Sequence, residues 1–266
     1  YTVYKNDVDS MYLIDWKYNR PRQNDDDIPK NHSKLLNIPI YEMEANPYLL
    51  IATGGNLMFD GLGTAISSKL IVEENSHLSV SQIDLLMKQF FGTDSYIKFE
   101  TLPYDGIHHI DMHMKLLDEE TLLVGQYPAN ISDGPQIEAN IQYLLSNFKN
   151  VYNAPYKIIR IPMPPNAQGN SWPQSGAYYR TYTNGVFVNK TFIYPSYYEK
   201  YDTTAYRILS EALLGYKLVP INCQPDPISS GGAIHCITNN IGVYEPLLIS
   251  HKKLEDTDNN SVPYQV

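Results

Sequence analysis

The chain has 266 residues, 43% of them hydrophobic and 18% charged, the composition of a globular protein with ample core rather than a disordered one. Its net charge of −9 argues against a phosphate-backbone partner, so no nucleic acid is expected, and accords with a cationic one. Two cysteines, Cys223 and Cys236, are too few for a disulfide framework or a four-cysteine zinc site, and no apolar run approaches the ~18 residues of a membrane span.

The chain opens at Tyr1 with neither an initiator methionine nor a leader pattern, as a trimmed or processed protein would. Arg20 to Asp27, with its acidic run, reads as a solvated loop, and Ile38 to Ala52 as extended chain punctuated by Pro39 and Pro47. Ser79 or Ser81 caps a helix over 83–91, with Ile83, Leu86, Met87 and Phe90 on one face and Gly92 ending it. A strand follows at 97–101. The pattern then recurs: a strand at 121–125, a helix at 137–148 with Ile137, Ile141, Leu144, Leu145 and Phe148 apolar, and a strand at 156–161. Further on come a hairpin of 185–189 and 191–194 turning at Asn189-Lys190, a helix at 203–214 and a strand at 217–221. A strand pair, a helix and a strand thus come three times, about 55 to 65 residues apart, the size of a supersecondary repeat. Both ββαβ units stacked around an axis and a doubly wound α/β sheet produce this string.

Four segments carry candidate chemistry. Residues 107–115 alternate, so a strand there puts His109, Asp111, His113 and Lys115 on one face, with His109 and Asp111 about 7 Å apart. That face reads as a solvated stripe, a metal site of His109, Asp111 and His113, or an acid/base pair. Asp60 lies among Gly54, Gly55, Gly61 and Gly63, as a tight turn or a close backbone approach to a ligand requires. Cys236, after Gly231-Gly232, reads as a buried structural thiol or as a nucleophile exposed at a strand end, and on a strand its neighbour His235 points the opposite way. Asn184, between Thr183 and Gly185, reads as a turn residue or a pocket amide. The tyrosine-rich stretch 178–201, with Trp172 upstream, lines a cleft or fills a core, the core being the reading for most of it. A thiol, an imidazole, carboxylates and an amide suit a flat cation attacked at carbon, as a guanidinium is.

In their order these segments resemble the agmatine deiminase and bacterial (Porphyromonas-type) peptidyl-arginine deiminase family of the guanidino-group-modifying superfamily. The resemblance runs from Tyr18-Asn19-Arg20-Pro21-Arg22 and Asn24-Asp25-Asp26, through Gly54-Gly55-Asn56 with Asp60-Gly61, His109-Ile110-Asp111 with Lys115, and Asn184, to Gly232-Ala233-Ile234-His235-Cys236-Ile237-Thr238. It implies an α/β fold, a five-bladed α/β propeller (pentein) of ββαβ modules with its active site on the central axis. It implies Cys236 as nucleophile, His109 as general acid and base, Asp60 and Asp111 as guanidinium ligands, and Asn184 as a pocket residue. No metal or organic cofactor is implied, and the partner is a small guanidino compound or an arginine-containing peptide. The expected division is a catalytic domain over 1–252 and a tail, 253–266, entering an appended β-domain.

Two features depart from the pattern. The family's Trp-x-Arg-Asp-x-Gly-Pro stretch is absent, from which an incomplete first blade is expected, and no arginine stands between Arg22 and Arg160 to hold an α-carboxylate. Agmatine, arginine and peptidyl arginine all remain open as substrates, as does an amine replacing water at the second step. A metal-dependent hydrolase and a guanidino-binding module without turnover are the competing readings. The resemblance favours a secreted or cell-surface location over a cytoplasmic one. The Asn-x-Ser/Thr sequons at Asn31, Asn130, Asn189 and Asn259 matter only in a secretory pathway.

Overall fold

A computed structural model of the chain describes residues 1–5, 10–224, 232–244, 246 and 250–252. The expected tail domain at 253–266, Gly231 and the sequon at Asn259 lie outside these residues.

One plan is built four times. In the first unit β1 (Thr2–Lys5) runs antiparallel to β2 (Ser10–Tyr18). After α1 (Gln23–Asp26) and α2 (Ile28–Leu36), β3 (Ile40–Met43) returns parallel to β2, and β4 (Ile51–Ala52) pairs with the end of β2. The second unit has β5 (Met58–Phe59) antiparallel to β6 (Thr64–Ser68), then α3 (Leu70–Glu74), α4 (Val80–Phe91) and β7 (Ser95–Phe99), parallel to β6. The third has β8 (Met114–Leu116) antiparallel to β9 (Thr121–Gln126), then α5 (Gly134–Asn147) and β10 (Lys157–Pro162). The fourth has β11 (Val186–Val188) antiparallel to β12 (Thr191–Ser196), then α6 (Glu199–Ala212) and β13 (Lys217–Asn222). In each unit the middle strand is antiparallel to the one before it and parallel to the one after its helix. Among the described residues, four separate small sheets, each with an antiparallel pair, rule out the single doubly wound sheet.

The helices form where an apolar stripe finds a sheet to cover. Ser79 caps α4 by accepting from the Gln82 N–H while the Gln82 side chain accepts from the Ser79 N–H, and Gly92 ends it at φ 67°. Ile83, Leu86 and Met87 of α4 pack on Ile14, Met43 and Leu57. Ile137, Ile141 and Leu144 of α5 join Ile97 and Phe99 of the second unit to Leu122 and Val124 of the third, so one core spans adjacent units. Ala205 and Leu209 of α6 do the same with Leu123, Phe192 and Tyr194. Each such fully buried aliphatic side chain stabilises the fold by roughly 1.5–3 kcal/mol. Tyr179, Tyr182, Tyr194 and Tyr197 fill cores, as expected for most of that stretch.

Three local expectations are corrected. The segment 20–27 is not all solvated loop: α1 forms there, and buried Asp26 pairs with Lys17 and accepts from the Tyr18 N–H at 2.7 Å. Residues 107–115 are not one strand, because Ile110–Met112 forms a 3₁₀ turn before β8 begins. Residues 235–237 are also a 3₁₀ turn rather than a strand.

Candidate active site

The two 3₁₀ turns bring together side chains that a strand would have splayed. Buried Asn56 spans the first: its Oδ1 accepts from the Ser68 N–H at 2.9 Å and the Ile110 N–H at 3.2 Å. Ser68 Oγ donates to His108 O at 2.6 Å, and Thr183 Oγ1 to Asp111 O at 3.0 Å. The His109–Asp111 segment is thereby pinned between the second and fourth units. Gly55 sits against it: a Cβ there would lie 2.6 Å from His109 Nδ1 and 3.1 and 3.2 Å from the Asp111 carboxylate oxygens. No side chain fits in that space.

The second turn carries His235 and Cys236. Asn184, fully buried, organises it. Its Oδ1 accepts from the Ala233 N–H at 3.0 Å and the Cys236 N–H at 3.3 Å, while its Nδ2 donates to Cys236 Sγ at 3.2 Å. Asn184 therefore positions the thiol, where the sequence suggested a turn residue or a pocket amide. Gly232, at φ 154°, leaves space a Cβ would fill at 2.9 Å from Cys236 Sγ. Both cysteines are free, so no bridge to Cys223 occupies the sulfur.

Asp111 is the hub. His235 Nδ1 lies 2.7 Å from its Oδ2, and the Cys236 thiol donates to the same oxygen at 3.7 Å. His235 thus turns toward the nucleophile candidate's partner, the reverse of its expected direction, because the 3₁₀ turn replaces strand alternation. Asp111 is fully buried. Burial pushes its carboxyl up, but the His235 hydrogen bond, then the nearby His109 and Lys115, outweigh this and hold it below the usual carboxylate range. The Cys236 thiol is pushed up to about 12 by burial and then by Asp111, against the N–H groups around it. Burial lowers His109, and its two ring nitrogens have no partner among the described residues.

A cavity of about 270 Å³ opens over Cys236 and His235. Thr53, Gly54 and Gly55 form one wall, Tyr1, Trp16 and Tyr18 supply aromatic surface, and Asp15, Asp25 and Asp26 supply carboxylates. Asp15 is buried and is raised to about 7 by burial, then by Glu44, against Lys30.

Asp60 and His113 stand outside the hydrogen bonds that join Cys236, Asn184 and Asp111. Asp60 belongs to the turn between β5 and β6, where its Oδ1 accepts from the Leu62 and Thr64 N–H groups, both at 2.8 Å, while its buried Oδ2 has no partner among the described residues. Its flanking glycines serve that turn, Gly61 at φ 78° and Gly63 at φ 105°. His113 is buried, and burial drives it down to about 3, so it stays neutral. Among the described residues no three His, Cys, Asp or Glu side chains form a metal-ligating group, so His109, Asp111 and His113 lack the geometry of the metal alternative.

Over residues 2–241 the sequence matches the Porphyromonas-type peptidyl-arginine deiminase family. The chain belongs to that family. Among relatives, the agmatine deiminase of Medicago truncatula is 25% identical over 253 residues, 85% of this chain and 67% of that one. The chain spans little more than half of other relatives it matches, 55% of one from Legionella pneumophila and 57% of one from Marinomonas. Solved structures share the fold: the agmatine deiminase of Enterococcus faecalis has a TM-score of 0.74 at 18% identity, covering 87% of this chain and 70% of its own. That of C. jejuni has a TM-score of 0.67 at 22% identity, covering 85% and 65%. No helix among the described residues is long and apolar enough to cross a membrane.

One prediction arises from the site's walls. Gly55→Ala is expected to displace His109 and Asp111 by several tenths of an ångström while leaving the fold intact. Kinetics should show kcat/KM reduced about 100-fold, and thermal denaturation a Tm lowered by a few degrees, since such overpacking costs about 1–3 kcal/mol. Wild-type kinetics would remove Gly55 from the account.

Proposed function

We propose that this chain hydrolyses a guanidino compound to a ureido product and ammonia, with Cys236 as nucleophile. The observation that carries this reading is the placement of Cys236 Sγ, held by Asn184 Nδ2 at 3.2 Å and facing Asp111 Oδ2 at 3.7 Å, beneath an acidic cavity. A guanidinium stays protonated, its pKa above about 12, and its carbon becomes electrophilic only when its charge is localised. Asp111 binds one edge of it. The arriving cation offsets the carboxylate that holds the thiol proton, and the proton passes to His109. The thiolate attacks the guanidinium carbon, and His109 returns the proton to the departing nitrogen, which leaves as ammonia. A cationic S-alkylthiouronium remains. His109 then takes a proton from water, whose oxygen adds to the carbon; the C–S bond breaks, giving the ureido product, the thiol and one released proton.

The cavity's carboxylates, Asp15, Asp25 and Asp26, whose ion-pair partners Lys30, Arg22 and Lys17 stand outside its lining, favour a substrate whose far end is also cationic, as in agmatine, over one ending in a carboxylate. The test is release of ureido product from agmatine, free arginine and a peptide ending in arginine. Agmatine is expected to show at least about a tenfold advantage in kcat/KM, worth ~1.4 kcal/mol. Preference for the carboxylate-ended substrates would overturn the specificity, and turnover of none would overturn the deiminase reading.

A further inference from the structure

We propose that His235 is a positioning residue for the reaction: by holding Oδ2 of Asp111 it keeps Oδ1 for the guanidinium. The inference rests on Cys236 as the nucleophile and Asp111 as a guanidinium ligand. His235 Nδ1 lies 2.7 Å from Asp111 Oδ2. An ionised carboxylate only accepts, so Nδ1 carries the proton and donates it. The Cys236 thiol reaches the same oxygen at the longer distance of 3.7 Å. Asp111 Oδ1, by contrast, is buried and accepts from no described residue. Both oxygens lie beside Gly55, where a Cβ would stand 3.1 Å from Oδ2 and 3.2 Å from Oδ1, and Gly55 lines the cavity together with His235 and Cys236. A buried acceptor left without a donor is costly, and an N–H of the arriving guanidinium supplies the missing one.

The backbone fixes His235 for this task without using its ring. Its N–H donates to Asn184 O at 3.0 Å, and its carbonyl accepts from the Thr238 N–H at 3.1 Å and from Thr238 Oγ1 at 3.0 Å. Asp111 is anchored separately, through the bond from Thr183 Oγ1 to its carbonyl. The imidazole can therefore be replaced while both turns stand. Without the Nδ1–H, the Cys236 thiol is the remaining donor to Oδ2 among the described residues, and the carboxylate is free to rotate toward the sulfur. The charges around Asp111 agree with this role. Burial raises its carboxyl, and the His235 hydrogen bond is the largest influence lowering it, ahead of His109 and Lys115. Loss of that bond moves Asp111 up, and a protonated Asp111 cannot take a guanidinium edge through two acceptors.

The test is the pH dependence of kcat/KM for agmatine in variants of His235. His235→Leu keeps much of the ring's volume and loses the donor, and near neutral pH its kcat/KM should fall about 100-fold. Its acid limb should also move to higher pH, because turnover needs ionised Asp111 and is lost as pH falls through the raised pKa of that carboxyl. His235→Asn, whose Nδ2 takes the place of the ring Nδ1, should recover at least about tenfold over His235→Leu and bring the acid limb back toward wild type. His235→Gln puts its amide nitrogen in the place of Nε2 instead; it should behave as His235→Leu does, and it replaces that variant should the latter fail to fold. Adding His235→Leu to Asp111→Asn should cost no more than about threefold further, because the two act through one carboxylate. Additive losses in the double variant, equal kinetics in the Asn and Leu variants, or an unmoved acid limb would each overturn the inference. Wild-type kinetics in Asp111→Asn, or turnover by Cys236→Ala, would instead overturn the reading it rests on, so the two failures are told apart.

Discussion

Cys236→Ser is expected to lower ureido formation by about 10⁴-fold or more while leaving substrate binding within a few-fold of wild type. A serine hydroxyl is far less acidic than a thiol and gains little anionic character from one amide donor. It nonetheless fits the same place, because Asn184 Nδ2 donates to oxygen as readily as to sulfur and Asn184 Oδ1 still holds the Ala233 and Cys236 N–H groups. The turn should therefore persist, and calorimetric titration with agmatine should separate intact binding from lost chemistry. Loss of binding together with rate would mean that the sulfur orders the site rather than attacking.

Asp111→Asn is expected to have two opposite effects. Turnover should fall about 10²–10³-fold in kcat/KM, because a charge-assisted bond to the guanidinium becomes a neutral one and His235 loses its anionic partner. Alkylation of Cys236 by iodoacetamide should become faster, because the carboxylate that helps hold the thiol at about 12 has gone. The carboxamide occupies the carboxylate's volume, so the buried turn loses little packing. Parallel kinetics and alkylation on this one variant check both signs. A joint fall would indicate a collapsed turn, and unchanged turnover would remove Asp111 from substrate binding.

Much of this fold is legible in the residues because its helices and central strands bury regular stripes. Ile83, Leu86 and Met87 of α4 and Ile137, Ile141 and Leu144 of α5 announce their helices through spacing that the sheets then use. The hairpin at Asn189 is equally readable, since Asn189 takes the φ of 53° that such a turn requires. By contrast α2 buries none of its residues, so it leaves no stripe to read, and its Leu35 and Leu36 are exposed. The fourth copy of the repeat is missed for that reason.

The geometry of the candidate site is less legible than the fold. Hydrogen bonds join Cys236, Asp111 and Asn184, yet alternation along 107–115 and 233–237 suggests strands where 3₁₀ turns stand. A turn of about three residues lets neighbours such as His235 and Cys236 address one carboxylate, which a strand of period two forbids. His235 was missed on that account. The only hint was the glycine pair before it, one member of which, Gly232, has a φ that favours glycine. The glycines beside Asp60 serve a turn, Gly61 at φ 78° and Gly63 at φ 105°, as one of the two readings of that segment has it. No spacing rule marks Asn56, which joins elements far apart in the chain.

The most direct measurement is mass spectrometry of the chain acid-quenched during turnover of agmatine. The account predicts a thiouronium adduct on the peptide containing Cys236, formed within one turnover, absent from Cys236→Ser and lost as substrate is exhausted. Steady ureido production with Cys236 unmodified, or an adduct on another residue, would contradict it.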